Sequence, residues 1–460
     1  MKGHPIMSIK DYYKVTPYIE ELANISANSN GIQTDMYTQF NVKRGLRDIQ
    51  GKGVLTGLTE ISEVNSRRIH DDGTEELIPG ELFYRGIKVS EFVDGYTSEN
   101  RFGFEECVYL LLFGHLPTQS ELDKFNEQLG TYRSLPTSFV RDMIMKSSSP
   151  DMMNAMARSV LALYSYDENA DDISQPNVLR QCLQLISQFP LIAVYGYQAY
   201  SHYHNGQSLY IHPPRPDYST AENILHLLRA NNEFTQTEAL ILDLALILHA
   251  EHGGGNNSTF TTHVVTSSGT DTYSAVAASL GSLKGPRHGG ANVKVVQMFD
   301  DFRANAPDWS DESIRDYFSK ILNKEAFDRS GLIYGMGHAI YSVSDPRAEI
   351  LKKYAKKLSI EKGMEEVYDL YNRVAMIASE LIAEKRKIYK GVSPNVDFYS
   401  GMIYRMLNLP EELYTPIFAV ARIAGWSAHR MEELQNMGKI IRPAYMCVKG
   451  REIYVPIRKR

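Results

Sequence analysis

Cysteine is scarce: three in 460 residues, Cys107, Cys182 and Cys447, far apart along the chain. None stands in a CxxC pair or at Cys/His ligand spacing, which argues against a disulfide framework and suits a reducing compartment. Long basic runs are missing too. The net charge is −6 and the pI about 6.1, so no nucleic-acid partner and no membrane partner is expected. No stretch approaches the roughly 18 apolar residues of a spanning helix. The first residues, MKGHPIMSIKDYYKVTPYIEELANIS, hold no apolar run of signal-peptide length, are not Arg-rich and contain acids; a cytoplasmic protein is expected. There is no internal repeat, no low-complexity linker and no Gly-rich phosphate loop after a strand. Strand signals are few. ELFYRGIKV (81–89) and YMCVKGREIYVPI (445–457) read as short hairpins.

What remains is helical. FGFEECVYLLLFGHLPTQSELDKFNEQL (102–129) reads as two helices around a turn, with Pro117 and Thr118 marking the second start. TEALILDLALILHAEH (237–252) is apolar almost all round, the pattern of a helix buried on every side. It ends in Gly253-Gly254-Gly255 and so delivers His249 and His252 to its C-terminus. DTYSAVAASLGSLKGP (271–286) is a small-residue helix stopped by Gly285-Pro286, and helical patterns follow at 293–304, 346–358, 363–387 and 400–407. The expected class is all-α, with minor β hairpins near the termini.

Candidate chemistry gathers in glycine-rich settings. Five of the thirteen histidines, His249, His252, His263, His288 and His338, fall within 90 residues, in HAEHGGGNNS, GPRHGGAN and YGMGHAIY among others. Glycine beside a polar group allows close backbone approach to a ligand. His249 and His252, with His263 further on, raise a metal centre as an alternative. The spacing is not HExxH and no Asp or Cys cluster completes a shell, so no metal is expected. In SPNVDFYSG, Asp397 lies between apolar neighbours, where partial desolvation would raise its pKa and make it a base near neutral pH; capping the next helix is its other reading. Arg347 (SDPRAE), Arg422 (AVARIAGW) and Arg442 (KIIRPAY) stand in quiet contexts. An arginine in an apolar helix is costly unless paired, and its guanidinium grips a carboxylate with two parallel hydrogen bonds.

GPRHGGANV, GMGHAIYSVSDPRA and PNVDFYSGMIYRM, in this order, resemble the three active-site segments of the citrate synthase family. LLLFGHLPTQSEL, LHAEHGGGNNSTF, ARIAGWSAHRMEE and IIRPAYMCVKG extend the resemblance to roughly residues 45–455. It implies condensation of acetyl-CoA with oxaloacetate to citrate, the entry to the tricarboxylic acid cycle, with acetyl-CoA as co-substrate and no cofactor. Asp397 then matches the base that deprotonates the thioester methyl. His288 matches the donor to the thioester carbonyl, and His338 the donor to the oxaloacetate ketone. His252, Arg347, Arg422 and Arg442 match the ligands of oxaloacetate, Arg442 reaching the site from the other subunit of a homodimer. A large helical domain (1–288 plus 401–460) and a small one (289–400) are implied, closing over the substrates. Gly289 and Gly290 are expected to leave room for the thioester, and Gly285, Gly289 and Gly401 to act as hinges.

The chain departs from the common pattern at Glu251, His252 and Gly253, where many members have Asp-His-Glu, at Ala339, where many bacterial members have arginine, and at Ser342. Lys390 is a candidate for the CoA phosphate. The alternatives are a 2-methylcitrate synthase using propionyl-CoA, a metal-dependent hydrolase built on His249, His252 and His263, and a non-catalytic family member.

Overall fold

The computed structural model describes residues 13–29, 31–48, 52–338, 340–386, 391–436 and 438–460. It divides into two compact units, Met1–Leu58 and Thr59–Arg460. The first holds α1 (Pro17–Ser29) and α2 (Thr34–Gln39), with no buried side chains in either helix.

The second unit opens with a small antiparallel sheet, β1 (Ser62–Ile69), β2 (Glu75–Tyr84) and β3 (Ile87–Lys88), in the order β1-β2-β3. Among the described residues, the named elements after it are all helices. In chain order come α3 (Val89–Ser98), α4 (Phe104–Phe113), α5 (Gln119–Tyr132), α6 (Met152–Leu163) and α7 (Gln175–Asn205). Next are α8 (Thr220–Leu228), α9 (Gln236–Ala250), α10 (Asn257–Thr266), α11 (Thr272–Leu283) and α12 (Ala291–Asn305). Last are α13 (Asp311–Leu322), α14 (Pro346–Lys362), α15 (Glu365–Arg386), α16 (Val396–Met406) and α17 (Tyr414–Gln435). The all-α class is thus the observed one.

Local chemistry sets the helix starts. Thr118 with Glu121, Ser219 with Glu222 and Thr235 with Glu238 each form a reciprocal capping box at the head of α5, α8 and α9, which satisfies backbone N–H groups that have no partner inside the helix. Asp345 caps α14, with Pro346 in its first turn. The core is centred on two helices. In α9 nearly every residue from Glu238 to Ala250 is buried, as the all-round apolar pattern predicts. Buried α17 packs on α9, α10, α7 and α4.

One strand expectation needs correction, and one strand was not expected. The 445–457 segment forms no strand: it runs extended in solvent, with Tyr445 95% and Ile453 92% exposed. It has no neighbouring strand to pair with and no core to cover one face. Conversely, β1 (SEVNSRRI) carries too little apolar alternation to be read as a strand, yet pairs along β2. Among the described residues no helix is long and apolar enough to cross a membrane.

Candidate active site

The last turn of α9 begins the site. His249 sits in that turn, Glu251 caps it in extended conformation, and His252 follows. His249 is a core histidine: its Nδ1 lies 2.9 Å from the Ala245 carbonyl, and burial lowers its pKa to about 3. Its own carbonyl receives the Nε–H of Arg422 at 2.7 Å. His252 is buried, its Nε2 has no hydrogen-bond partner, and burial together with Arg347, His338 and Arg422 holds its pKa well below the usual histidine range. All its cationic neighbours favour the neutral ring.

His338 meets His252 at 5.1 Å between ring centroids and stacks on Tyr341 at 4.8 Å. Its Nδ1 accepts the backbone N–H groups of Ile340 (3.1 Å) and Tyr341 (3.2 Å). That acceptor role leaves the ring proton on Nε2, so a neutral His338 presents an Nε2–H donor. The loop is pinned to the head of α16. Gly337 N–H donates to the Ser393 carbonyl at 2.8 Å, Asn395 N–H to the Gly335 carbonyl at 2.9 Å, and Asn395 Nδ2 to the Gly337 carbonyl at 2.8 Å. These bonds hold the His338 loop against the turn that carries Asp397.

Asp397 does not cap its helix. Asn395 does, accepting the Asp397 N–H at 3.0 Å, which frees the aspartate side chain. Its Oδ1 is shielded from solvent and has no hydrogen-bond partner. Burial raises its pKa to about 7, with Asp345 adding to the shift and Arg347 and Arg422 opposing it. A shielded carboxylate oxygen left unpartnered at neutral pH is a proton acceptor waiting for a proton.

Both arginines of this region are buried. Arg347 is clamped by Asp345 through Nε (3.1 Å) and Nη2 (2.8 Å), and Asp345 also accepts the Val396 N–H at 3.3 Å, which ties α14 to α16. Arg422 is fully buried, yet its Nη1 and Nη2 have no partner. Burial lowers its pKa to about 10, so it stays cationic at neutral pH. Arg422 acts on the charge of Asp397, His288, His252 and Glu251 alike, so all four lie within its electrostatic reach.

His288 lies just ahead of α12. Burial, then Arg422, lowers its pKa to about 4, so the ring is neutral. Its Nε2 is 3.0 Å from Ser258 Oγ, which also accepts the Trp426 indole N–H at 3.1 Å and lies 3.0 Å from Asn256 Oδ1. Gly289, beside His288, has a different cause from the one expected. A Cβ on Gly289 would come within 2.6 Å of the Leu283 carbonyl, so this residue is bare because it packs on the end of α11. Gly401, expected as a hinge, lies inside α16, where a Cβ would meet Val296 Cγ2 at 2.8 Å and the Asn292 carbonyl at 2.9 Å. It permits a close crossing of α16 and α12.

Arg442 is exposed in the C-terminal segment. Lys390 and Ala339 lie outside the described residues. The three histidines raised as a metal centre do not form one ligand set: among the described residues the donor atoms that cluster are those of His263, His429 and Glu432. Ser258, Tyr341 and Asp345 went unnoticed in the sequence, since each sits within a segment dominated by a more conspicuous histidine, glycine or arginine.

The chain matches the family model "Citrate synthase, C-terminal domain" over residues 48–444. It is 36% identical to the citrate synthase of a Synechocystis species over 411 residues, 88% of this chain and 93% of that one. It is 33% identical to a 2-methylcitrate synthase of Shewanella oneidensis over 387 residues, 82% and 92% of the two chains. A solved ternary complex of Thermoplasma acidophilum citrate synthase with carboxymethyl coenzyme A and oxaloacetate superposes with a TM-score of 0.73 at 26% identity, covering 88% of this chain and 97% of that one. Segment order, fold and these matches agree: the chain belongs to the citrate synthase family of condensing enzymes.

Proposed function

We propose that this chain is an acyltransferase that condenses acetyl-CoA with oxaloacetate and hydrolyses the product to citrate and CoA, its acyl group becoming an alkyl group on transfer. One observation carries the reading: a fully buried Arg422 with two unpartnered nitrogens, in electrostatic reach of a half-buried Asp397 whose shielded Oδ1 has no partner. Such an arrangement costs folding free energy unless a carboxylate substrate and a proton complete it.

Asp397 takes the α-proton of the thioester. With Nε2 accepting the Ser258 Oγ–H, a neutral His288 carries its proton on Nδ1, and that Nδ1–H donates to the thioester oxygen and stabilises the enol as it forms. The enol carbon attacks the ketone of oxaloacetate while His338 Nε2–H donates to the ketone oxygen. Arg347, Arg422 and His252 hold the dicarboxylate. Water then cleaves the thioester. No metal or prosthetic group is needed at the reacting atoms. Helical segment 289–400, which carries His338, Arg347 and Asp397, is proposed as the small domain that closes and excludes water.

The reading includes a homodimer in which the partner's Arg442 completes the oxaloacetate site. The exposed apolar residues of segment 438–456 support it, since a second copy would cover them. A cytoplasmic setting accords with three free thiols, Cys107 and Cys182 among them buried.

Release of free CoA from acetyl-CoA plus oxaloacetate, followed with a thiol reagent, tests the function. Faster turnover with acetyl-CoA than with propionyl-CoA is the expected result. The reverse preference makes the chain a 2-methylcitrate synthase, and no release from either donor overturns the condensing reading. A methylene is worth about 1–3 kcal/mol of discrimination, so donors differing by roughly 10-fold or more are expected. Ser258→Ala is expected to lower kcat by about 10-fold with the KM for oxaloacetate unchanged, because Ser258 orients His288 and not the dicarboxylate. A matching rise in that KM would assign Ser258 a different role.

A further inference from the structure

Beneath the turn that carries His252 lies a second group of histidines and carboxylates that the condensation does not use. His263 on α10 turns Nδ1 to Glu433 Oε2 at 2.7 Å. His429 on α17 sets Nε2 at 3.1 Å from Glu251 Oε1, and Ser62 Oγ donates to the same oxygen at 2.9 Å. Carboxylates only accept, so His263 Nδ1 carries its proton; His429 Nε2 is not aligned for a hydrogen bond, yet a carboxylate at 3.1 Å favours the proton on that nitrogen as well. The inner nitrogens, His263 Nε2 and His429 Nδ1, then face one another with lone pairs at 3.1 Å.

Something positive must sit at that meeting point. A third donor decides between a proton and an ion. Glu432 Oε2 lies 3.8 Å from His429 Nδ1, buried and without a hydrogen-bond partner, while Oε1 of the same carboxylate receives the Glu60 N–H at 2.8 Å. A proton shared by the two rings would leave Glu432 Oε2 orphaned. A divalent cation satisfies both rings and the carboxylate together. The 3.1 and 3.8 Å separations bracket the ~3.4 Å edge of a tetrahedron with bonds of about 2.1 Å, and all three donors lie within 4.8 Å of one another. Glu433 and Glu251 stand where outer-shell carboxylates orient metal-binding histidines.

We propose that His263, His429 and Glu432 form a structural site for a zinc-class divalent cation, with Glu433 and Glu251 as its outer shell. The bound ion joins α10 to α17. Two nitrogens and one oxygen suit Zn2+ or Co2+ and not Mg2+. The ion touches no reacting atom in the proposed condensation.

The test uses the full chain, stripped by chelator and reloaded with Zn2+, Co2+ or Mg2+ alone. Expected are one Zn2+ or Co2+ per chain, the intense visible absorption of low-symmetry Co2+, and a rise in melting temperature of at least about 3 °C with Zn2+. Mg2+ gives none of these. Glu432→Gln is expected to weaken Zn2+ binding at least 10-fold, and His263→Gln to abolish the Co2+ spectrum. Should His263→Gln fail to fold, the wild-type spectrum and Glu432→Gln still decide. No uptake of either ion by the folded chain overturns the site and leaves a shared proton between the rings. Uptake unchanged in Glu432→Gln overturns it as well. CoA release by the stripped enzyme at 25 °C is expected to match that of the loaded one, so loss of the metal site and loss of the condensing activity read out separately.

Discussion

Asp397→Asn is expected to lower kcat by about 10³-fold, the middle of the range for removing a general base, while the KM for oxaloacetate changes little. The substitution keeps the shape and removes the charge. Two pH readouts separate a catalytic base from a merely structural aspartate. In the wild type, kcat/KM for acetyl-CoA should climb as pH rises through about 7 and then level off, because the carboxylate works only when ionised and burial places its pKa at about 7. His288, held at about 4, is already neutral across that range and adds no second limb there. The stability effect has the opposite direction. Asp397 is raised in the folded chain above its ordinary 3.8, so between pH 4 and 7 the native state binds a proton that the unfolded state has lost. Stability therefore falls as pH climbs through this window, and the full cost is present above pH 7. Asp397→Asn should melt higher than the wild type at pH 8, with the difference vanishing near pH 4. A rate limb that persists at pH 7 in the variant would assign the base to another group.

Much of this site was legible before any coordinates because its chemistry requires unusual local sequence. An all-round apolar helix that ends in His249 and His252 has few structural readings, and α9 is buried along nearly its whole length. Asp397 beside Asn395 was ambiguous, since either can cap a helix. The structure gives the cap to Asn395 through the Asp397 N–H, and only three-dimensional geometry decides that. The glycines misled for a physical reason. Gly289 and Gly401 are bare because neighbouring backbone comes close, and a close helix crossing leaves the same mark in sequence as a ligand cleft. Long-range partners were out of reach. Ser258 reaches His288 across 30 residues and Glu251 meets His429 across 178, and no periodicity encodes such pairs. The misread C-terminal hairpin failed similarly: alternation in 445–457 satisfies a strand pattern, but no strand among the described residues pairs with it.

Arg422→Met is expected to raise the KM for oxaloacetate by at least about 100-fold while leaving the unliganded protein as stable as the wild type, or more so. The binding loss follows from two charge-assisted hydrogen bonds to one carboxylate, roughly 3–5 kcal/mol together, or about two to four decades. The stability expectation follows from what Arg422 lacks. It is fully buried, and Nη1 and Nη2 have no partner, so desolvation of the guanidinium is only partly offset by the Nε–H bond to the His249 carbonyl and by the charge of Glu251. Met has similar length and no charge to desolvate. Three effects oppose the gain: the His249 carbonyl loses its donor, Glu251 loses one cation, and the Phe418 ring loses the guanidinium that lies 4.8 Å over it. Glu251 nonetheless keeps Ser62 and His429. Thermal melting with and without oxaloacetate checks both halves, since the wild type should gain stability from the ligand and the variant should not. Arg347→Met provides the contrast. Arg347 is already paired with Asp345, so its removal strands a buried carboxylate and should lower the melting temperature of the unliganded chain. If both variants destabilise equally, Arg422 is a structural cation and not one held ready for a substrate carboxylate.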